Sequence, residues 1–150
     1  MILIAHRGNI SGKLEQFENT PNYIDAAIEQ GYDVEIDVRY HQHEFWLGHD
    51  YPNYKISLKW LTDRKYFLWI HCKDLITIDM LRELQIHNNV DLHYFFHNND
   101  DCTITSKGDL WVYPGKQPVK NSISVMPEWH DDDVSFCKGV CSDNILKYKE

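Results

Sequence analysis

Residues 33–38 read Asp33-Val34-Glu35-Ile36-Asp37-Val38, an acid alternating with a β-branched aliphatic residue. A period of two belongs to a strand whose opposite faces meet different surroundings, so the aliphatics face a core and the acids share the other side. Glu35 and Asp37 then stand about 7 Å apart along the strand. Two carboxylates aimed into a protein interior repel unless a cation lies beside them, and a hard divalent ion resolves the repulsion. The competing reading is an edge strand with its acids in water, and Asp33, which has the same parity, favours it.

Working outward, residues 2–5 form an apolar strand stopped at His6-Arg7-Gly8. Asn19-Thr20-Pro21 opens a helix with Pro just inside its start; Ile24, Ala27 and Ile28 recur at helical spacing, and Gly31 closes it. Residues 44–47 form a short strand that delivers Gly48-His49-Asp50. A strong strand spans residues 66–72, and a helix over residues 76–84 carries Ile78, Leu81 and Leu84. Residues 92–96, 110–113, 122–126 and 139–141 are further short strands, each bounded by Gly, Pro, Asp or Asn. The early alternation of strand and helix predicts a parallel sheet with active-site residues at the C-terminal ends of its strands. Later connections shrink to loops. No repeat or linker divides the chain, so residues 1–150 read as one domain.

With 150 residues, 43% hydrophobic and 25% charged, the chain is neither disordered nor large enough for two ordinary domains. A full eightfold barrel of strands and helices takes about 250 residues, so length speaks against one. The net charge of −8 and the lack of a basic stripe disfavour nonspecific binding to nucleic acid or anionic membranes. A small anion still fits a site that brings its own metal ion. The four cysteines lack CxxC spacing, and the N-terminus lacks the features of a leader, which predicts a reduced, cytoplasmic protein. Apolar runs such as residues 67–70 fall far short of the roughly 20 residues that span a bilayer.

Several residues sit where chemistry is expected. His6 and Arg7 end the first strand. His71 and Lys73 repeat the i, i+2 geometry on a later one, where His71 can complete a metal's ligands and Lys73 can offer a fixed charge to phosphate. The alternative is a hydrogen-bonded core histidine and a lysine that caps a strand. Asp50 either orients the ring of His49 or caps the next turn. Trp129 stands at the active rim, to stack on a substrate or simply to pack, and Glu128 beside it is within reach of a metal. The cysteines read as small buried hydrophobes.

The order of these motifs resembles the glycerophosphodiester phosphodiesterase family, within the phospholipase-C-like barrel phosphodiesterases. The matching pieces are Ala5-His6-Arg7-Gly8, Glu18-Asn19-Thr20, Ala26-Ala27 with Gly31, residues 33–38 and His49-Asp50. Residues 3–50 carry the likeness. Ile70-His71-Cys72-Lys73 and Gly139-Val140-Cys141-Ser142-Asp143 extend it, while residues 75–137 are barely matched. The resemblance implies His6 and His49 as the general acid/base pair, Glu35 and Asp37 as metal ligands, and Arg7, Glu18 and Lys73 lining the site. It also implies Mg²⁺ or Ca²⁺. His71 stands where the family carries an acid, which makes the site less negative and tilts the preference toward Mn²⁺ or Zn²⁺. Phe17 replaces a Pro, and the insertion that follows His-Asp in many members is reduced to residues 51–58.

Taken together, the sequence predicts an unusually short member: a trimmed, incomplete TIM-type (β/α) barrel with about seven short strands and few outer helices. The expected activity is metal-dependent cleavage of a glycerophosphodiester or similar small alcohol phosphodiester, by way of a cyclic phosphate. The alternatives are a lyase that stops at the cyclic phosphate and a binding module without turnover. Sheet left uncovered by helices needs aromatic cover or a second subunit, and 13% aromatic residues together with the helix-poor side predict a homodimer.

Overall fold

The computed structural model describes residues 1–149. In chain order its elements are β1 (Ile2–His6), α1 (Pro21–Glu29), β2 (Asp33–His41), β3 (Glu44–Leu47), β4 (Tyr54–Ile56), α2 (Leu58–Asp63), β5 (Leu68–Cys72), α3 (Leu75–Asn88), β6 (Tyr94–Phe96), β7 (Cys102–Ile104), β8 (Leu110–Val112), β9 (Ile123–Val125) and β10 (Gly139–Ser142). Short 3₁₀ turns follow β9, at Pro127–Trp129, and β10, at Ile145–Tyr148.

Seven strands run parallel in the order β6-β5-β2-β1-β10-β9-β8. The antiparallel β7 adds to β8, and the antiparallel pair β3-β4 branches from the C-terminal half of β2. Among the described residues no ladder joins β6 to β7 or β8, so the sheet curls without closing. This corrects the expected TIM-type barrel. The molecule is a ten-stranded mixed sheet curled into a half-barrel, with three α-helices and 24% helical residues. A TIM barrel needs a closed ring of parallel strands with a helix after each one. Here α-helices intervene only before β6, and antiparallel strands occupy positions that crossover helices would take.

The period-two reading of β2 holds. Val34, Ile36 and Val38 pack with Ile24, Ala27, Leu61 and Leu81 in the layer between sheet and helices. Glu35 and Asp37 point into the concave side, whose floor is the second core of Ile4, Trp69, Phe95, Trp111, Ile123 and Val125. Pro21 stands at the start of α1 as expected. α3 runs to Asn88, beyond the expected limit, and is anchored by Asp74, whose carboxylate accepts from the Thr77 amide at 2.9 Å. Among the described residues no helix is long and apolar enough to cross a membrane.

Candidate functional site

Because the seven strands are parallel, their C-terminal ends meet at one rim, and the cleft there holds about 370 Å³. One half is charged and is built by His6, Arg7, Glu35, His49, His71 and Lys73. The other is aromatic and apolar, with Trp111, Tyr113 and Trp129.

Register sets the charged half. β2 pairs with β5 so that Asp37 lies opposite His71, and with β1 so that Glu35 lies opposite His6. His71 Nδ1 is 3.4 Å from Asp37 Oδ1 and 3.7 Å from Glu35 Oε1. Lys73 Nζ lies 3.5 Å from Asp37 Oδ1, and Arg7 Nε 2.9 Å from Asp37 Oδ2. Burial by itself would raise the Asp37 carboxyl, but His71, Arg7 and Lys73 outweigh it and hold the group well below the usual carboxylate range. Burial likewise works against the charge on His71, and the two acids reverse it, raising its pKa.

Glu35 and Asp37 are 2% and 0% exposed, yet Glu35 Oε2, Asp37 Oδ1 and His71 Nε2 are buried without a hydrogen-bond partner. Buried polar atoms are rarely left so. The three residues each offer a ligand atom within 4.8 Å of the others. A carboxylate pair and an imidazole with unmet bonding capacity suit a divalent cation.

Both histidines expected as acid and base are oriented by a carboxylate. His6 Nδ1 lies 2.7 Å from Asp143 Oδ1, and His49 Nδ1 lies 2.9 Å from Asp50 Oδ1. An ionised carboxylate only accepts, so each Nδ1 carries the proton and each Nε2 is left as the acceptor. His6 is nearly buried, with its Nε2 3.7 Å from Glu35 Oε2, whereas His49 is 43% exposed by side chain. Gly48 places His49: its φ is +152°, and a Cβ there would lie 1.9 Å from the Tyr51 carbonyl oxygen.

Glu18 holds Arg7 and lines the adjoining pocket, which shares Arg7 and His49 with this cleft. Its oxygens accept from Arg7 Nη1 at 3.1 Å and Asn9 Nδ2 at 2.9 Å. Trp129 lines the rim and is 64% exposed. Glu128 does not reach the acid cluster, since its two oxygens accept from Ser142 Oγ at 2.5 Å and Tyr148 OH at 3.2 Å.

Sequence reading missed several contributors. Asn19 grips Asp37 twice, donating from Nδ2 to Oδ2 at 2.9 Å and accepting the Asp37 amide at 3.0 Å. Asn9, fully buried, donates to Asp143 at 2.8 Å as well as to Glu18. Tyr113, on which His97 stacks with ring centroids 3.5 Å apart, closes the cleft from the barely matched middle of the chain. The signal for Asn19 was its place between Glu18 and the helix start; nothing local marks Asn9 or Tyr113. No family model, curated protein or solved structure matches the chain. The likeness therefore rests on the sequence motifs alone.

Proposed function

We propose that the chain is a metal-dependent phosphodiesterase acting on a glycerophosphodiester or similar small alcohol phosphodiester, with His6 and His49 as the proton-transfer pair. The observation that carries the reading is that two carboxylate-oriented imidazoles share one cleft with two cations and with an acid–histidine cluster whose buried atoms lack partners. Phosphodiester cleavage asks for that combination: a group to take a proton from the attacking hydroxyl, a group to give one to the leaving alkoxide, and positive charge against the phosphoryl oxygens.

Arg7 and Lys73 draw the phosphodiester into the charged half, since they are the cations that line it. Glu18 and Asp37 fix the Arg7 fork, and Asp37 steadies Lys73. One imidazole Nε2 removes the proton of the attacking hydroxyl while the other, protonated, supplies the leaving oxygen. Asp143 and Asp50 keep each ring in the tautomer that permits this. Glu35, Asp37 and His71 would hold a divalent ion, which supplies Lewis-acid stabilisation of the charge that builds on phosphorus-bound oxygen. The aromatic half, with Trp129 at its lip, receives the organic part of the substrate.

The purified chain assayed with glycerophosphodiesters and a divalent-ion panel tests the proposal. Metal-stimulated turnover that His6→Ala abolishes supports it; turnover unchanged in His6→Ala rejects it. Phosphorus NMR separates a monoester product from a cyclic phosphate, and calorimetric binding without any product marks a binding module instead.

A further inference from the structure

The two acids of the cluster do not offer themselves freely to an ion. Asp37 Oδ2 accepts from Asn19 Nδ2 at 2.9 Å and lies 2.9 Å from Arg7 Nε, which leaves Oδ1 as the oxygen without a hydrogen-bond partner. Chelation through both oxygens would break two contacts at a fully buried carboxylate. Arg7 and Lys73, both at Asp37, already offset the two negative charges. His71, by contrast, is set for coordination. Its ring stacks on Phe95 with centroids 5.0 Å apart and planes 15° apart, and its Nδ1 faces both acids, 3.4 Å from Asp37 Oδ1 and 3.7 Å from Glu35 Oε1.

Ca²⁺ takes six to eight oxygens, often with a bidentate carboxylate, and Mg²⁺ takes a near-octahedral shell of oxygens. Both rely on net negative charge. The cluster has little to spare, confines Asp37 to one oxygen and places a nitrogen among its three donors. Imidazole bonds best to transition ions. We infer that the Glu35–Asp37–His71 cluster takes an imidazole-seeking first-row ion such as Zn²⁺ in preference to Mg²⁺ or Ca²⁺, with His71 as the ligand that selects it. The inference rests on the metal centre proposed above but not on turnover.

Isothermal titration of the full chain with Zn²⁺, Mn²⁺, Mg²⁺ and Ca²⁺ tests it, because it reads binding without catalysis. Most sites bind Zn²⁺ more tightly than Mg²⁺, so the informative quantity is how the ratio changes. His71→Asp is expected to lower the Zn²⁺-to-Mg²⁺ affinity ratio by about tenfold or more, and Glu35→Gln to weaken binding of every ion. Circular dichroism checks that each variant folds, and His71→Asn supplies the comparison if His71→Asp does not. A ratio unchanged by the His71 substitution overturns the inference, as does wild-type binding of Mg²⁺ or Ca²⁺ as tight as that of Zn²⁺. Zn²⁺ binding that Glu35→Gln leaves at wild-type affinity would belong to surface histidines and overturns it too. Selective ion binding without phosphodiester turnover leaves the inference standing and rejects only the enzymatic reading.

Discussion

The two rims of the parallel sheet carry nearly the same residue types in opposite states. At the N-terminal rim, His93 precedes β6, Asp109 precedes β8 and Lys138 precedes β10. His93 Nε2 lies 2.7 Å from Thr105 Oγ1 and 3.6 Å from Asp109, whose carboxylate pairs with Lys138. At the C-terminal rim, His71, Asp37, Glu35 and Lys73 gather just as closely, but three of their buried atoms have no hydrogen-bond partner. Burial pulls the pKa of His93 down to about 4, with Asp109 too weak to reverse it, whereas two acids raise that of His71 against the same burial. A histidine, an acid and a lysine in one place therefore say little. A network that satisfies itself is architecture; one that leaves buried atoms unmet is built to receive something.

The contrast breaks most sharply at His6. His6→Ala should lower phosphodiester turnover by about 10²- to 10⁴-fold while the thermal midpoint moves little, measured by rate and by melting on one preparation. His93→Ala should do the reverse: it takes away one of the two partners of the buried Thr105 hydroxyl, leaving only the Asp109 amide, and opens a void beside Trp69, a loss of about 3 kcal/mol in unfolding free energy with turnover unchanged. If the two variants behave alike in both measurements, the distinction between the rims fails.

Protonation sharpens it further. The unfolded chain binds a proton at His93 near pH 6.5 and the folded chain only near pH 4, so the stability that neutral His93 confers is complete above about 6.5. It declines as the pH falls and is gone below about 4. Denaturant unfolding of wild type and His93→Gln should therefore differ by on the order of 2 kcal/mol more at pH 7 than at pH 4. A constant difference would mean that His93 is not kept neutral by burial. The smallest effect belongs to Trp129, an exposed rim residue: Trp129→Ala should raise KM a few-fold and change stability by less than about 0.5 kcal/mol.

Legibility followed the range of the signal. The alternation of residues 33–38, the proline at the start of α1 and the apolar run of β1 are local features, and each is an element where expected. β4 and β7 escaped notice because neither carries an apolar run: β4 exposes both Tyr54 and Lys55, and β7 exposes both Cys102 and Ile104. α2, six residues long with Leu61 as its buried residue, is equally silent in sequence. The barrel expectation failed for a different reason. It followed from motifs at strand ends, which record what a rim presents and not whether the sheet behind it closes. Glu18, which the resemblance implied among the lining residues, holds Arg7 and lines the adjoining pocket that Arg7 and His49 share with the cleft.

By itself the sequence determined which face of β2 carries the acids, because a strand turns each successive side chain to the opposite side whatever surrounds it. It likewise placed His6, His49 and His71 at strand ends or just beyond them. Tertiary structure alone decided what those residues meet. Asp143, 137 positions from His6, reaches it only because β10 lies beside β1, and His71 reaches both acids only through the register of β5 on β2. Pairing between distant strands is set by the packing of the whole sheet, and no short stretch of chain encodes it.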